Sequence, residues 1–107
     1  MPRQPRFTLV FAPEALEHLD QIERKHHRLL ERAITEQLAH TPDRETRNRK
    51  PLRPPAPFGA SWELRCGPDN RYRVLYEVNP DERSVSVLAI GIKEGNRLLM
   101  GGEEFET

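Results

Sequence analysis

The stretch WELRCGPDNRYRVLYEV, residues 62–78, contains two β-strand patterns separated by the turn-forming residues GPDN. Successive side chains of a strand point to opposite sides of a sheet. In the first pattern, Trp62 and Leu64 therefore share an apolar face, and Glu63 and Arg65 share the opposite one. This strand is expected to turn its apolar face toward a core and its charged face away from it.

The second pattern places Arg73 on the face opposite its alternating tyrosines and valines. Register decides whether Arg73 and Arg65 lie together, because an odd-numbered connection aligns them and an even one sends Arg73 into the core. An unpaired buried guanidinium costs several kcal/mol. We therefore predict an odd connection, with both arginines on the face away from the core. An arginine in that setting is often solvated or paired with a glutamate such as Glu63 or Glu77.

The surrounding patterns predict the fold. Residues 7–11, FTLVF, indicate a strand, and Pro13 suits the first turn of a helix. Further strands are predicted at 61–66, 72–78 and 84–92. Apolar residues at helical spacing predict two helices joined closely as a hairpin, with the stripes Leu16, Leu19, Ile22 and Leu30, Ile34, Leu38. The order β-α-α-β-β-β predicts an α+β domain in which a helical hairpin packs on one face of a small, mainly antiparallel sheet, the other face staying open.

Two segments lack these patterns. Prolines predict a long connection over residues 42–60, called here the basic loop, because its stretch RETRNRKPLR carries five cations against Glu45. A loop of this length is uncommon in a small domain unless it has a function. The cations are Arg44, Arg47, Arg49, Lys50 and Arg53. Glycines predict that residues 94–107 form a flexible carboxyl arm.

Composition narrows the class of protein. A chain of 107 residues predicts a single domain, 1–107, and the equal counts of 17 basic and 17 acidic residues give no net charge. The apolar runs are too short for a membrane span or a signal peptide, which predicts a cytoplasmic protein. The single Cys66 excludes an internal disulfide, and no metal or cofactor is implied. The histidines are expected at solvated helix positions: His18, His26, His27 and His40.

Four motifs together resemble the RelE/ParE family of toxins from bacterial type II toxin-antitoxin modules. They are KPLR at 50–53, WELR at 62–65, YRVLY at 72–76 and VSVLAIGIK at 85–93. The resemblance covers essentially the whole chain, and it implies that family's compact fold. It also implies a cognate antitoxin as partner, whose carboxyl-terminal segment wraps the toxin and neutralises it.

The resemblance implies roles for the charged residues. RelE-like members cut mRNA in the ribosomal A site by driving the 2′-hydroxyl onto the adjacent phosphate, whereas ParE-like members poison DNA gyrase. In a nuclease, Arg73 would stabilise the charge on the scissile phosphate, and Arg65 and Lys93 would be neighbouring cations. The residues expected to contact RNA are those of the basic loop: Arg47, Arg49, Lys50 and Arg53.

The sequence departs from the best-known RelE-like nucleases at three positions. Ser61 and Glu63 stand where those nucleases carry lysines, and Leu99 or Met100 stands where they carry a tyrosine. Glu63 is the acid on the expected site face, either as a general base or as the ion-pair partner of Arg73. Three functions therefore stay open, namely a ribosome-dependent mRNA endonuclease, a gyrase inhibitor, and an inactive member that only binds.

Overall fold

In a computed structural model that describes residues 6–105, two α-helices and seven β-strands form the framework. Within these residues, no helix is long and apolar enough to cross a membrane. The helices are α1 (Pro13–Asp20) and α2 (His27–Leu38), with a 3₁₀ turn at Arg24–His26 between them. The strands are β1 (Thr8–Phe11), β2 (Arg49–Pro51), β3 (Trp62–Cys66), β4 (Tyr72–Asn79), β5 (Ser84–Glu94), β6 (Arg97–Met100) and β7 (Glu103–Phe105).

The strands form one sheet in the order β2-β3-β4-β5-β6-β7, with antiparallel neighbours throughout that path. Strand β1 pairs parallel with the first half of β5, at Thr8↔Ser84 to Phe11↔Val87. The two helices pack on one face of this sheet. The predicted α+β class, with a helical hairpin on a mainly antiparallel sheet, is confirmed.

Three strands lie in segments that the sequence predicted to be irregular. Strand β2 falls inside the basic loop, and it can contain Pro51 because it is an edge strand, where a missing N–H removes no ladder bond. Strands β6 and β7 form within the carboxyl arm, so the prediction of a flexible arm is wrong for residues 97–105. Gly91 permits this, because a Cβ at that position would lie 2.6 Å from Cγ of Met100 on the crossing strand.

The core between the helices and the sheet contains the residues that the alternation predicted. Leu64 and Cys66 of β3 and Val74 of β4 are buried against the helices. Tyr76 is also buried, and its hydroxyl donates a 2.7 Å hydrogen bond to the carbonyl oxygen of Pro42. This bond ties the segment after α2 to the centre of the sheet.

The opposite face of the sheet carries a second apolar cluster, which corrects the expectation that this face is left open. It comprises Ala60, Leu75, Ala89, Leu98 and Met100, with Leu52, Leu88 and Phe105 packed at its edge. A bulge in the β4–β5 ladder, where Leu75 pairs with Ala89 and Tyr76 with Val87, turns consecutive β5 residues to this face. The basic loop and the carboxyl arm thus cover much of it.

The histidines do not all occupy solvated positions. His18 of α1 is only 8% exposed, and its Nδ1 accepts a 3.2 Å hydrogen bond from the N–H of Ile90. Ile90 lies between the segment of β5 that pairs with β1 and the segment that pairs with β6. At this position the His18 side chain accepts the hydrogen bond from the backbone N–H of the strand. Burial lowers the pKa of His18, although the neighbouring carboxylates of Glu14, Glu17 and Glu103 oppose that shift.

Two further histidines have local contacts. Nε2 of His27 lies 2.7 Å from the carbonyl oxygen of Ile22, and the His26 ring lies 5.9 Å from the ring of Tyr72. His40 is exposed, as expected.

Candidate functional site

The register of β3 and β4 brings Arg65 and Arg73 together. The connection between the strands has five residues, 67–71, and the two arginines are paired directly across the ladder. This confirms the predicted odd count. Like charges placed opposite each other destabilise a sheet, so the pair requires a compensating group.

Glu63 is that compensating group. Its Oε1 atom lies 3.0 Å from Nε of Arg65 and 3.8 Å from Nε of Arg73. The Glu63 side chain is only 14% exposed, so solvent screens these ion pairs less than it screens surface pairs. Of the two roles expected for Glu63, the structure contains the ion pair.

Arg73 is more enclosed than its place on the outer face suggested. Its side chain is 11% exposed, and Nη1 donates a hydrogen bond to the carbonyl oxygen of Asn70. Burial lowers the pKa of Arg73, while Glu63 opposes that shift by stabilising the charged form. The guanidinium nevertheless remains protonated at neutral pH. Position 73 is therefore less exposed than an open outer face implies, and Arg73 lines a cavity together with Leu75 and Leu98 of the second apolar cluster.

These residues line a cavity of about 350 Å³, called here the central cavity. The basic loop forms one wall, and strands β3 to β6 form the floor and the other wall. Its charged lining residues are five cations and one acid: Lys50, Arg53, Arg65, Arg73, Lys93 and Glu63. A concentration of cations around a recessed space attracts anions and provides donors for phosphate oxygens.

Some cations of the basic loop are exposed, and one is buried. Lys50 and Arg53 are exposed and line the central cavity, and Arg47 is exposed but is not among its lining residues. Arg49 is only 6% exposed, and its Nη1 donates 2.6 Å hydrogen bonds to the carbonyl oxygens of Gln37 and Thr41. Its guanidinium is thus occupied inside the protein. The expectation that Arg49 contacts RNA is corrected.

The sequence did not identify the apolar wall of the central cavity. This wall consists of Pro51, Leu52, Pro55, Ala56, Pro57, Leu75 and Leu98. The run of prolines beside the cations was a signal, since such residues make a rigid, non-polar surface. Nothing in the sequence indicated Leu98, because it reaches the cavity only through the unpredicted strand β6.

Other reactive groups are absent from the central cavity or are chemically quiet. Burial raises the pKa of the Cys66 thiol to about 11, which makes it a poor nucleophile. Across residues 6–105, no group of three or more histidine, cysteine and acidic side chains is placed to hold a metal ion. The charged groups that line the central cavity are its five cations and Glu63.

The fold, a helical hairpin on a mainly antiparallel sheet, is shared with a toxin-antitoxin protein of known structure. One chain of the crystal structure of the toxin-antitoxin complex RelBE2 from Mycobacterium tuberculosis has this fold, with a TM-score of 0.67. The match covers 84% of the present chain and 100% of that chain, at 22% sequence identity.

Sequence comparison places the chain within a family. The family described as ParE toxin of type II toxin-antitoxin system, parDE, matches residues 9–96, which is most of the chain. The protein therefore belongs to this family of toxins, as its motifs predicted. No curated protein matches the sequence significantly.

Proposed function

We propose that this toxin inhibits translation by binding mRNA in the ribosome and cleaving it at the central cavity. The observation that carries the proposal is the pairing of Arg65 with Arg73 in a recessed cavity that also holds Lys93. Guanidinium groups bind phosphate oxygens bidentately, and they stabilise the negative charge that develops during phosphoryl transfer. Lys50 and Arg53, exposed at the mouth of the cavity, are suited to contact neighbouring phosphates or ribosomal RNA.

The proposed reaction is transesterification within the RNA strand. The ribose 2′-oxygen forms a bond to the adjacent phosphorus, and the bond from phosphorus to the 5′-oxygen of the next nucleotide breaks. Glu63 accepts the proton of the 2′-hydroxyl after the phosphate has drawn Arg65 and Arg73 away from the carboxylate. The leaving 5′-oxygen takes a proton from water, and the hydroxide that this forms takes the proton that Glu63 carries. The products are a 2′,3′-cyclic phosphate and a 5′-hydroxyl. Arg73 stabilises the charge on the phosphate during this step.

The same cavity supports neutralisation by an antitoxin. The structural neighbour from Mycobacterium tuberculosis was determined as a toxin-antitoxin complex, which favours a protein partner for the present chain. A carboxyl-terminal antitoxin segment laid over the central cavity would exclude RNA, and acidic residues in that segment would complement its five cations. Expression of the toxin without growth arrest should therefore depend on a small antitoxin encoded in a neighbouring reading frame.

The test is primer extension on mRNA from translating ribosomes incubated with stoichiometric toxin. New 5′ ends are expected with the native toxin and should be strongly reduced by Arg73→Gln. Arg32→Gln is the matched control, because Arg32 is an exposed arginine on α2, far from the central cavity in the sheet-and-helix arrangement. Message that stays intact with folded native toxin would refute the cleavage proposal.

Inhibition of DNA gyrase is the second candidate function. It is favoured by the match to the ParE family and by the absence of the lysines and tyrosine that RelE-like nucleases carry. At the tyrosine position, Leu99 is half-buried and Met100 is buried in the second apolar cluster.

A supercoiling assay separates the two functions, since a toxin that blocks gyrase and leaves mRNA intact is of the ParE type. Growth that continues normally when the toxin is expressed alone would instead indicate an inactive binding member.

A further inference from the structure

A second cavity adjoins the central cavity at the connection between β3 and β4. It has a volume of about 320 Å³ and is called here the turn cavity. Arg73 and Lys93 line both cavities, so these two cations form a shared wall. The remaining lining residues of the turn cavity are Pro68, Asp69, Asn70 and Arg71.

The turn that forms this cavity is coupled to the shared wall. Nη1 of Arg73 donates a hydrogen bond to the carbonyl oxygen of Asn70, and the N–H of Lys93 donates a 2.8 Å hydrogen bond to the carbonyl oxygen of Arg71. Both bonds connect the turn to the strands that bear the shared cations. The turn cavity is therefore held at a constant position relative to Arg73.

The chemical character of the turn cavity differs from that of the central cavity. Asp69 contributes a carboxylate and Asn70 an amide, which can form hydrogen bonds with sugar hydroxyls and base edges. Arg71 contributes an exposed guanidinium plane on which a base can stack. A carboxylate beside the turn disfavours a phosphate there, so the phosphate is better accommodated at the wall that Arg73 and Lys93 share.

We propose that the turn cavity is a nucleoside subsite, occupied by the nucleotide that adjoins the one in the central cavity. The internal phosphate of the strand then lies at the shared wall, with one nucleoside on each side of it. This inference rests on the proposed function, because it requires that the central cavity binds RNA. The inference adds that a ligand with a nucleoside on each side of its phosphate binds more tightly than one with a single nucleoside. It also adds that Arg71 binds the second nucleoside.

The test compares two probes that cannot be cleaved. One is 2′-O-methyluridine 3′-monophosphate, and the other is the 2′-O-methylated dinucleotide UpU, which has the same phosphate esterified to a second nucleoside. The mononucleotide has the greater negative charge, so charge alone favours it. Binding to the toxin is measured by NMR titration, which also reports shifts in the backbone amides of residues 69–71.

The structure provides a matched pair of arginines for this test. Nη2 of Arg71 lies 4.0 Å from Oε1 of Glu94, and Nη2 of Arg97 lies 3.9 Å from Oε2 of the same carboxylate. Both side chains are about half exposed, but Arg97 is not among the residues that line either cavity. Substitution of either arginine by glutamine therefore removes one positive charge beside Glu94, but only Arg71→Gln also alters the turn cavity.

The dinucleotide is expected to bind about fivefold more tightly than the mononucleotide, as stacking on one exposed cation allows. In Arg71→Gln the dinucleotide should bind no more tightly than the mononucleotide, while Arg97→Gln should retain the gain of about fivefold. Equal affinities for the two probes, or equal effects of the two substitutions, would overturn the subsite but leave RNA binding at the central cavity intact. If neither probe binds, or if binding is insensitive to Arg73→Gln, both the subsite and the proposed RNA site are refuted.

Discussion

Arg49 provides the sharpest test of the structure, because its interior position reverses the role that the sequence suggested. Its guanidinium donates to the carbonyl oxygens of Gln37 and Thr41, both at 2.6 Å, and Nε lies 3.4 Å from Oγ1 of Thr46. The carbonyl of Gln37 is among the last four of α2, which have no partner within the helix. A cation at this end of a helix is also favoured by the helix dipole. Arg49 thus links the end of α2 to the edge strand β2.

The magnitude for Arg49→Ala follows from these contacts. A hydrogen bond to a charged group contributes about 1.5 to 3 kcal/mol, and two short bonds to carbonyl oxygens are lost together. The two bonds together contribute about 3 to 6 kcal/mol. Water can reach part of the space left by the side chain, so the loss in the free energy of unfolding should lie in the lower half of that range, at about 3 to 4.5 kcal/mol. This is a large fraction of the roughly 5 to 15 kcal/mol that stabilises a small domain.

The assay is equilibrium unfolding in urea, with Arg47→Ala as the matched control from the same loop. Arg47 is exposed, so its substitution should change the free energy of unfolding by no more than about 0.5 kcal/mol. With a slope of about 1 to 3 kcal/mol per molar urea, Arg49→Ala should lower the midpoint by more than about 1 M. A loss below about 1 kcal/mol would refute the reasoning. If Arg49→Ala is as stable as the native protein but binds RNA more weakly, the expectation from the sequence that Arg49 contacts RNA would be correct.

Three further predictions test other parts of the structure. Glu63→Gln should abolish cleavage but strengthen RNA binding, because the carboxylate that repels phosphate and competes for the arginines is lost. A lost repulsion of about 1.4 kcal/mol corresponds to about tenfold tighter binding, measured by fluorescence anisotropy. Weaker binding would contradict this competition. His18 is neutral in the folded protein and has a lowered pKa, so protonation of the unfolded chain should reduce stability as the pH falls below about 6.5. His18→Asn keeps an acceptor near the N–H of Ile90 but cannot be protonated there. This substitution should make the melting temperature less sensitive to pH between 7.5 and 5.5. An unchanged pH profile would exclude His18 as the cause. Tyr76→Phe should lower the free energy of chemical unfolding by about 1 to 3 kcal/mol, because the buried carbonyl of Pro42 loses its partner, and a variant as stable as the native protein would show that this bond contributes nothing.

The parts of the fold that were predicted from sequence are those set by local periodicity. Alternation in β3 and β4 correctly identified the buried residues Leu64 and Val74. The apolar stripes located both helices, but Leu16 of the first stripe is exposed and Ile22 lies just after the end of α1. Strand β2 was missed because it has only three residues and one is a proline. Strand β6 was missed because its pairing depends on a close approach to Gly91, which no local pattern reports.

The candidate site was predictable to a similar extent. Arg65, Arg73, Lys93, Lys50 and Arg53 meet at one cavity, as their motifs suggested. The sequence could not show how deeply each side chain would be enclosed, because burial at this face depends on the basic loop and on strands β6 and β7 folding over it. Sequence spacing also gave no indication of the turn cavity, which exists only where two strand ends come together.

By itself, the sequence determined that two arginines would lie side by side on the outer face of the sheet. The alternation of side chains and the cost of burying an unpaired guanidinium predicted an odd-numbered connection, and the structure has five residues there. Tertiary structure alone decided which cations face solvent. Arg47, Arg49 and Lys50 are near neighbours with similar chemistry, yet of these three only Arg49 donates to the carbonyl oxygens of Gln37 and Thr41, in the last turn of α2 and just after it. That outcome depends on contacts between residues distant in the chain, and such contacts form only when α2 and β2 are packed together.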